Sequence, residues 1–404
     1  MKPTVVAIDL GSCFVRVVVG VIEDEEKGVV NVIGRSYSNL HQGSTQAGNI
    51  VNMEKMRMAL KKAVEEAELM ADVEVERAFV GLSTPEMRGF DAEADVAVQG
   101  KRRQVSREDI DNAFSAVREI GIPQDHKVLH IIPQRYLIDQ QGEYEDPSGA
   151  TGARLTIQAH TLVCPAVAVN NHTAICNHLG IRVARFIFEP LAAAEAVLTQ
   201  DERERGVLLV DLGHETTQAV LIRKSSILHT FIQKFGARHV TSDLVEVVGI
   251  GQLEADRVKR EIPLDYKEEG DEMEEGVELH QAVTETKKLV RKKMISEVMG
   301  ARIEELFTDI REDLTRHHRE GAYRGGVVLT GGGALLKGVA EMGQRFFQAP
   351  VRVGYPALIE GIVEEIARPD WTTAVGLVKF GFKYYPEECR KKRGLISKLF
   401  GSKK

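Results

Sequence analysis

Cysteine is scarce in this chain, with Cys13, Cys164, Cys176 and Cys389 the only four among 404 residues. No two have the short spacing of a metal-binding pair, and they form no disulfide framework, so a reducing compartment is expected. Long apolar runs are missing as well. The first twenty residues are apolar but broken by Asp9 and Arg16, which excludes a signal peptide, and no run is long enough to span a bilayer. Any membrane contact must therefore be peripheral. The chain also lacks a basic excess: a net charge of −7 argues against a general nucleic-acid binder, and no nucleic-acid partner is expected. That average conceals an asymmetry. Residues 390–404 hold seven basic side chains and no acid, and removing those positives leaves about −14 on the body. A basic end on an acidic body points to an anionic surface.

What is present is enough apolar material, 43% of residues, for more than one core, and a length that suits two to four units. Residues 5–8, 15–22 and 29–36 read as strands, 53–69 as a helix through Met56, Leu60, Val64 and Ala67, and 77–82 as a strand. From 85 to 164 the texture changes to short strands (95–99, 128–132, 135–138, 155–163) around one helix, 107–120. Ser106 is its expected N-cap, with Asp109 three residues on. This reads as a small α+β module set into a larger domain. Beyond it, helices are expected at 167–179, 190–198, 241–248, 253–261 and 335–347, and strands at 183–188 and 327–329. Residues 206–222 read as strand–loop–strand, 264–279 as an acidic loop, and 283–319 as one or two long helices.

One element recurs half a chain apart. Residues 5–12 run Val-Val-Ala-Ile-Asp-Leu-Gly-Ser, and residues 208–214 run Leu-Leu-Val-Asp-Leu-Gly-His; each is followed by a second apolar strand. The repeat argues for a duplicated domain. A glycine turn between strands aims several backbone N–H groups at one point, as a phosphate clamp requires. The acids that end the strands, Asp9 and Asp211, are placed to hold a hydrated Mg²⁺. The third glycine element, Gly331-Gly332-Gly333, sits between a strand and a helix, where a flat adenosine can lie against backbone. Together the three read as a nucleotide cleft.

Residues 391–404 read as an amphipathic helix. Leu395, Ile396, Leu399 and Phe400 fall within an arc of roughly 140° at the helical repeat of about 100° per residue. Lys391, Lys392, Arg393 and Lys398 surround that arc. So short a peptide is expected to fold only on a surface. A solubilising tail or a nucleic-acid contact is the alternative.

With these residues in hand, the chain resembles the FtsA family of bacterial cell-division proteins, in the superfamily of actin, heat-shock chaperones and sugar kinases. The resemblance runs nearly end to end. It is carried by 67–71 (Ala-Glu-Leu-Met-Ala), 130–136 (His-Ile-Ile-Pro-Gln-Arg-Tyr) with Asp139, 146–149 (Asp-Pro-Ser-Gly) with Gly152, 189–192 (Glu-Pro-Leu-Ala), 198–203, 240–243 and 329–336. It implies an α/β fold: a duplicated actin-like, ribonuclease H-like two-lobe fold with an inserted α+β subdomain and a C-terminal amphipathic helix. The first-lobe core is expected from 1–84, 165–192 and 366–389, and the insert at 85–164. The second-lobe core is expected from 193–235 and 327–365, its distal part at 236–326, and the membrane tail at 390–404.

The resemblance further implies ATP and Mg²⁺ as cofactors, self-assembly into a homopolymer, and binding of the FtsZ tail to the distal second lobe. It also implies contacts of the insert with other division proteins, and a peripheral position on the cytoplasmic face of the membrane at mid-cell. Ser12, Cys13 and Arg16 continue the first phosphate loop. Asp256 and Lys259 match positions on the ribose and adenine side, and Leu336 ends the third glycine element. Glu189 stands where the superfamily places a residue that orients water near the γ-phosphate. Arg16 is open to a second reading, an exposed strand residue, and Asp256–Lys259 to that of a solvated ion pair.

The second loop departs from the family pattern of three glycines, two threonines and an aspartate: here it is Gly213-His214-Glu215-Thr216-Thr217-Gln218. Glu215 would set a carboxylate beside a triphosphate unless its side chain turns away, and Gln218 removes an acid. The expectation is weakened or altered nucleotide binding with very slow or absent turnover. A sugar kinase or phosphatase, and a pilus-assembly actin homologue, are the alternatives; no motif for a catalytic Asp in a substrate lobe supports the first.

Overall fold

Two sheets of the same topology make the frame of the computed structural model, which describes residues 3–24, 28–99, 101–224, 226–266, 276–281 and 286–385. In the first, Thr4–Leu10, Phe14–Asp24 and Val29–Asn39 form an antiparallel meander. Arg77–Leu82 lies parallel to the opening strand, and Arg182–Phe188 parallel to that. The second sheet repeats this plan. Val207–Leu212, Thr217–Arg223 and Ser226–Gln233 form the meander, Val327–Thr330 lies parallel to its opening strand, and Val351–Val353 follows. The sequence repeat is therefore a structural repeat: each Asp-Leu-Gly ends the central strand of its sheet.

Both central strands are buried along nearly their whole length, because helices cover both faces of each sheet. Met53–Ala71 packs on one face of the first sheet, its buried Met56, Leu60, Ala63, Val64 and Ala67 spaced three or four apart. Asn52 caps it by accepting the Lys55 N–H at 3.0 Å. On the other face Thr372–Tyr384 packs across the helix Glu189–Val197. This places both the Glu189 and the Thr372 ends against the first sheet.

The insert is a four-stranded antiparallel sheet (Arg88–Ala97, His126–Ile138, Gln141–Tyr144, Arg154–Pro165) with the helix Arg107–Arg118 on it and its own core around Ile110, Ala113, Val117, Leu155 and Ile157. The capping box expected at Ser106 and Asp109 is formed. Asp109 is buried and also accepts the Gln99 N–H at 2.9 Å, so it ties the preceding loop to the helix start.

Several expectations change. The two strands expected at 128–132 and 135–138 are one, His126–Ile138, with a register shift opposite Gln158 and Ala159. Ser226–Gln233 is a strand that the sequence reading missed. The expected long helix begins only at Lys292. Lys287–Arg291 is a strand paired with Gly276–His280, which removes the last residues of the expected acidic loop as well. Local pattern favoured a helix there, but the hairpin buries Leu279 and Val290 against the second-lobe core. The helix expected from Leu335 starts at Val339, because Gly338 is left-handed at φ 81°. Ile359–Gly361, expected with the second lobe, pairs with Val29–Asn39 in the first sheet. The tail 390–404 and Cys389 lie outside the described residues, among which no helix is long and apolar enough to cross a membrane.

Candidate functional site

The ends of the two central strands face each other across a cleft of about 470 Å³ between the lobes. The structure brings together there Asp9, Gly11, Ser12, Cys13, Arg16, Glu189, Asp211, Gly213, His214, Thr216, Lys259, Gly331, Gly332, Gly333 and Leu336, all expected from sequence. Gln218 lines it too. Glu215, Thr217 and Asp256 do not.

Three carboxyls share the floor. Burial raises the Asp211 carboxyl to about 7, helped by the negative charge of Asp9. Burial raises Asp9 to about 6, against the pull of Arg16. Glu189 is pushed well above the carboxylate range by burial, then by Asp9 and Asp211. Acids arranged in this way resist ionisation unless a cation joins them. The donor set fits a hard, oxygen-seeking ion such as Mg²⁺. Two buried oxygens on the same strand, Thr217 Oγ1 and Gln218 Oε1, have no hydrogen-bond partner among the described residues. Gln218 Oε1 belongs to a cleft-lining side chain whose amide donates to Glu189 Oε2 at 3.4 Å. An acceptor left so needs a donor such as ion-bound water.

Arg16 is not an exposed strand residue. Its guanidinium bonds Asp370 at 3.1 Å, lies 3.9 Å from Asp9, and stacks near Phe14 and Trp371. Lys259 bonds the Ala237 carbonyl, Thr241 and Asp256. Burial raises the Asp256 carboxyl, but Lys259 and Thr241 more than offset this and hold it below its ordinary range. Asp256 thus stands behind Lys259 rather than in the cleft. Burial raises the Cys13 thiol, and burial lowers the His214 imidazole, with Lys259 adding to the latter. Burial and the Lys259 charge thus both oppose a positive charge on His214.

Glu215 turns away from the cleft. Its carboxylate accepts the Gly48 N–H at 2.9 Å from the first lobe and pairs with Arg238 at 2.8 Å in the second. Its own N–H donates to Ser12 Oγ at 3.2 Å. Gly48 is the tip of a two-residue hairpin, 45–50, with positive φ at Ala47 and Gly48, a turn that projects its N–H outward. The expected repulsion of a triphosphate by Glu215 is thereby removed: the carboxylate is neutralised by Arg238 and latches one lobe to the other.

Sequence reasoning missed the segment 369–373. Asp370, Thr372 and Thr373 line the cleft, and Thr373 bonds Asp211. The Pro369 carbonyl accepts from Gly331 N (3.0 Å), Thr330 Oγ1 (3.2 Å) and Thr372 Oγ1 (2.9 Å), which joins the third glycine turn to the helix that enters the first lobe. The sequence there, Pro369-Asp370-Trp371-Thr372-Thr373 leading into an apolar helix, carries no phosphate- or metal-binding pattern of its own.

Comparison with known proteins agrees with this geometry. The profile of the family described as "Cell division protein FtsA" matches residues 208–376, and that of the "SHS2 domain inserted in FTSA" matches 85–163, the limits of the insert. The cell division protein FtsA of Pseudomonas aeruginosa is 30% identical over 94% of this chain and 89% of its own length. That of Escherichia coli (strain K12) is 29% identical over 94% and 90%. Among solved structures, the PilM-PilN type IV pilus biogenesis complex superposes with a TM-score of 0.66 at 16% identity, covering 93% of this chain and 98% of the other. MreB5 of Spiroplasma citri bound to ADP gives 0.56 at 15%, covering 94% and 95%. These two show the fold, an actin-like pair of lobes. With the insert in place and near-complete coverage at 30% identity, the chain belongs to the FtsA family of cell-division proteins, within the actin-like superfamily.

Proposed function

We propose that this chain binds Mg-ATP in the cleft, assembles with copies of itself into actin-like filaments, and tethers FtsZ polymers to the membrane through residues 390–404. The observation that carries the nucleotide part is the meeting of the two Asp-Leu-Gly turns and the Gly331 turn around one cleft. MreB5 of Spiroplasma citri, of the same fold, is bound to ADP in one structure and AMPPNP in another. Backbone N–H groups at 11–13 and 213–216 would grip the phosphates from both sides, Lys259 and Leu336 would flank the nucleoside, and Asp9 and Asp211 would hold Mg²⁺ through water. The ion would supply charge neutralisation at the phosphates. Burial, then the charges of Asp9 and Asp211, raise the Glu189 carboxyl well above the carboxylate range, which opposes its accepting a proton from water and favours slow hydrolysis.

The raised acids give a test. Mg²⁺ must displace protons from Asp211 and Asp9, so affinity falls as pH falls through about 7 and about 6. Between pH 8 and pH 6 calorimetry should show a loss of about tenfold in Mg-ATP affinity, as a group of pKa near 7 would impose. Asp211→Asn should flatten that profile. Equal pH slopes in the two proteins, or rapid multiple turnover, would defeat this reading.

The membrane part rests on the apolar arc and the basic cluster of the tail. Leu399→Glu with Phe400→Glu should release the protein from anionic vesicles in a sedimentation assay, since buried apolar area and lysine–lipid attraction both contribute. Unchanged co-sedimentation would refute the anchor. Filaments would multiply the weak hold of one tail. The distal second lobe, 236–326, is the proposed seat of the FtsZ tail, and the insert that of other division proteins. Pelleting with FtsZ polymers tests the former.

A further inference from the structure

The end of the helix Lys292–Arg316 meets the outer strand of the second sheet, Ser226–Gln233, at a cluster remote from the nucleotide cleft. One ligand atom each of His229, Asp313 and His317 lies within 4.8 Å of the others. His229 Nε2 and Asp313 Oδ2 are 2.5 Å apart, and the imidazoles of His229 and His317 lie 4.4 Å apart between centroids, tilted by 34°. We propose that these three side chains bind a first-row transition dication of the zinc class and staple the strand to the helix.

The chemistry of the set favours such an ion. Two imidazoles and one carboxylate suit Zn²⁺ and its neighbours, whereas Mg²⁺ and Ca²⁺ call for oxygen alone. Asp313 and His317 are four apart at a helix end, so they project from one face. His317 Nδ1 bonds the Asp313 backbone carbonyl at 2.8 Å. A bond of that kind is the usual outer partner of a metal-bound histidine: it fixes the tautomer and leaves the other ring nitrogen its lone pair. Bonds of about 2.0–2.2 Å around Zn²⁺ set ligand atoms roughly 3.3 Å apart, so the His229–Asp313 contact opens by less than about 1 Å as its proton leaves. His229 and Asp313 are largely buried while His317 is 54% exposed, which gives the ion a route in. Arg316 approaches Asp313 at 3.4 Å, but it is 70% exposed and can turn to solvent.

The position gives the site a use. Thr230, next to His229, bonds His160 of the insert at 3.1 Å, and Arg319, two residues past His317, pairs with Asp91 of the insert at 3.1 Å. An ion here would stiffen the seam where the insert meets the second lobe, and would stabilise the folded chain by mass action.

The test is a Zn²⁺ titration of the full-length protein without a histidine tag, by calorimetry in millimolar Mg²⁺, with Co²⁺ absorption as a second probe. One equivalent should bind. His317→Ala and Asp313→Asn should each weaken it at least about tenfold, the lower bound for loss of even an outer-shell partner. Zn²⁺ should raise the melting temperature of the wild type and not of His317→Ala, whose exposed side chain makes unfolding no explanation. No saturable binding, equal affinity in His317→Ala, or a thiolate charge-transfer band with Co²⁺ would each overturn the assignment.

Discussion

Gly331→Val is expected to lower nucleotide affinity by more than about a hundredfold in a calorimetric titration, equivalent to about 2.7 kcal/mol. Gly331 has φ 80° and ψ 177°, a conformation essentially closed to residues with a Cβ, which costs about 1–3 kcal/mol to hold. A Cβ there would lie 2.2 Å from Asp211 Oδ1 and 2.7 Å from the Leu212 carbonyl. The turn cannot retreat, because the Gly331 N–H is tied to the Pro369 carbonyl. Valine would therefore displace Asp211, the acid that ends the second central strand, together with the glycine turn opposite it. Gly332→Ala is the control. A Cβ at Gly332 meets nothing within 4 Å, so its fold survives and any loss of affinity reports a ligand lying over that backbone. Wild-type binding by a folded Gly331→Val protein would dismiss the cleft as the nucleotide site.

Removing the latch should let nucleotide escape. In Glu215→Ala, release of a fluorescent nucleotide analogue by stopped flow should be about 10–100 times faster, because a hydrogen bond to a buried charge is worth about 1.5–3 kcal/mol. The bond lost between the lobes is the one from Gly48 N–H; the pair with Arg238 goes with it, and the Glu215 N–H to Ser12 is kept. Arg238→Ala should have the smaller effect, since Arg238 is 45% exposed and its pairing is screened by water. An unchanged release rate in Glu215→Ala would show that the lobes are held together elsewhere. Where the family pattern has glycine, the Glu215 side chain reaches the other lobe.

Much of this was open to a reader of the sequence. The two Asp-Leu-Gly repeats are local, each a buried strand with a glycine turn, so their pattern survives in one dimension. The insert announced itself through the change of texture after residue 85 and the Ser106–Asp109 cap, which depends on residues three apart; the short strands expected there, 95–99 among them, are instead the long strands Arg88–Ala97, His126–Ile138 and Arg154–Pro165. Fifteen of the eighteen residues named for catalysis or cofactor binding line one cleft. The family resemblance was legible for the same reason, since its motifs are short and contiguous.

What the tertiary structure alone decided involves partners distant in sequence. Whether Glu215 threatens a phosphate or holds two lobes depends on Gly48, 167 positions away. The strand Lys287–Arg291 exists because Gly276–His280 pairs with it and buries Leu279 and Val290; its own lysine-rich pattern suits a helix. The roles of Asp370, Thr372 and Thr373 follow from the Pro369 carbonyl meeting the Gly331 turn. The upward shift of the Asp9, Asp211 and Glu189 carboxyls follows from burial and from three acids converging from three segments. Local pattern determines which strands and turns form; burial and charge at the meeting of distant segments determine what their side chains do.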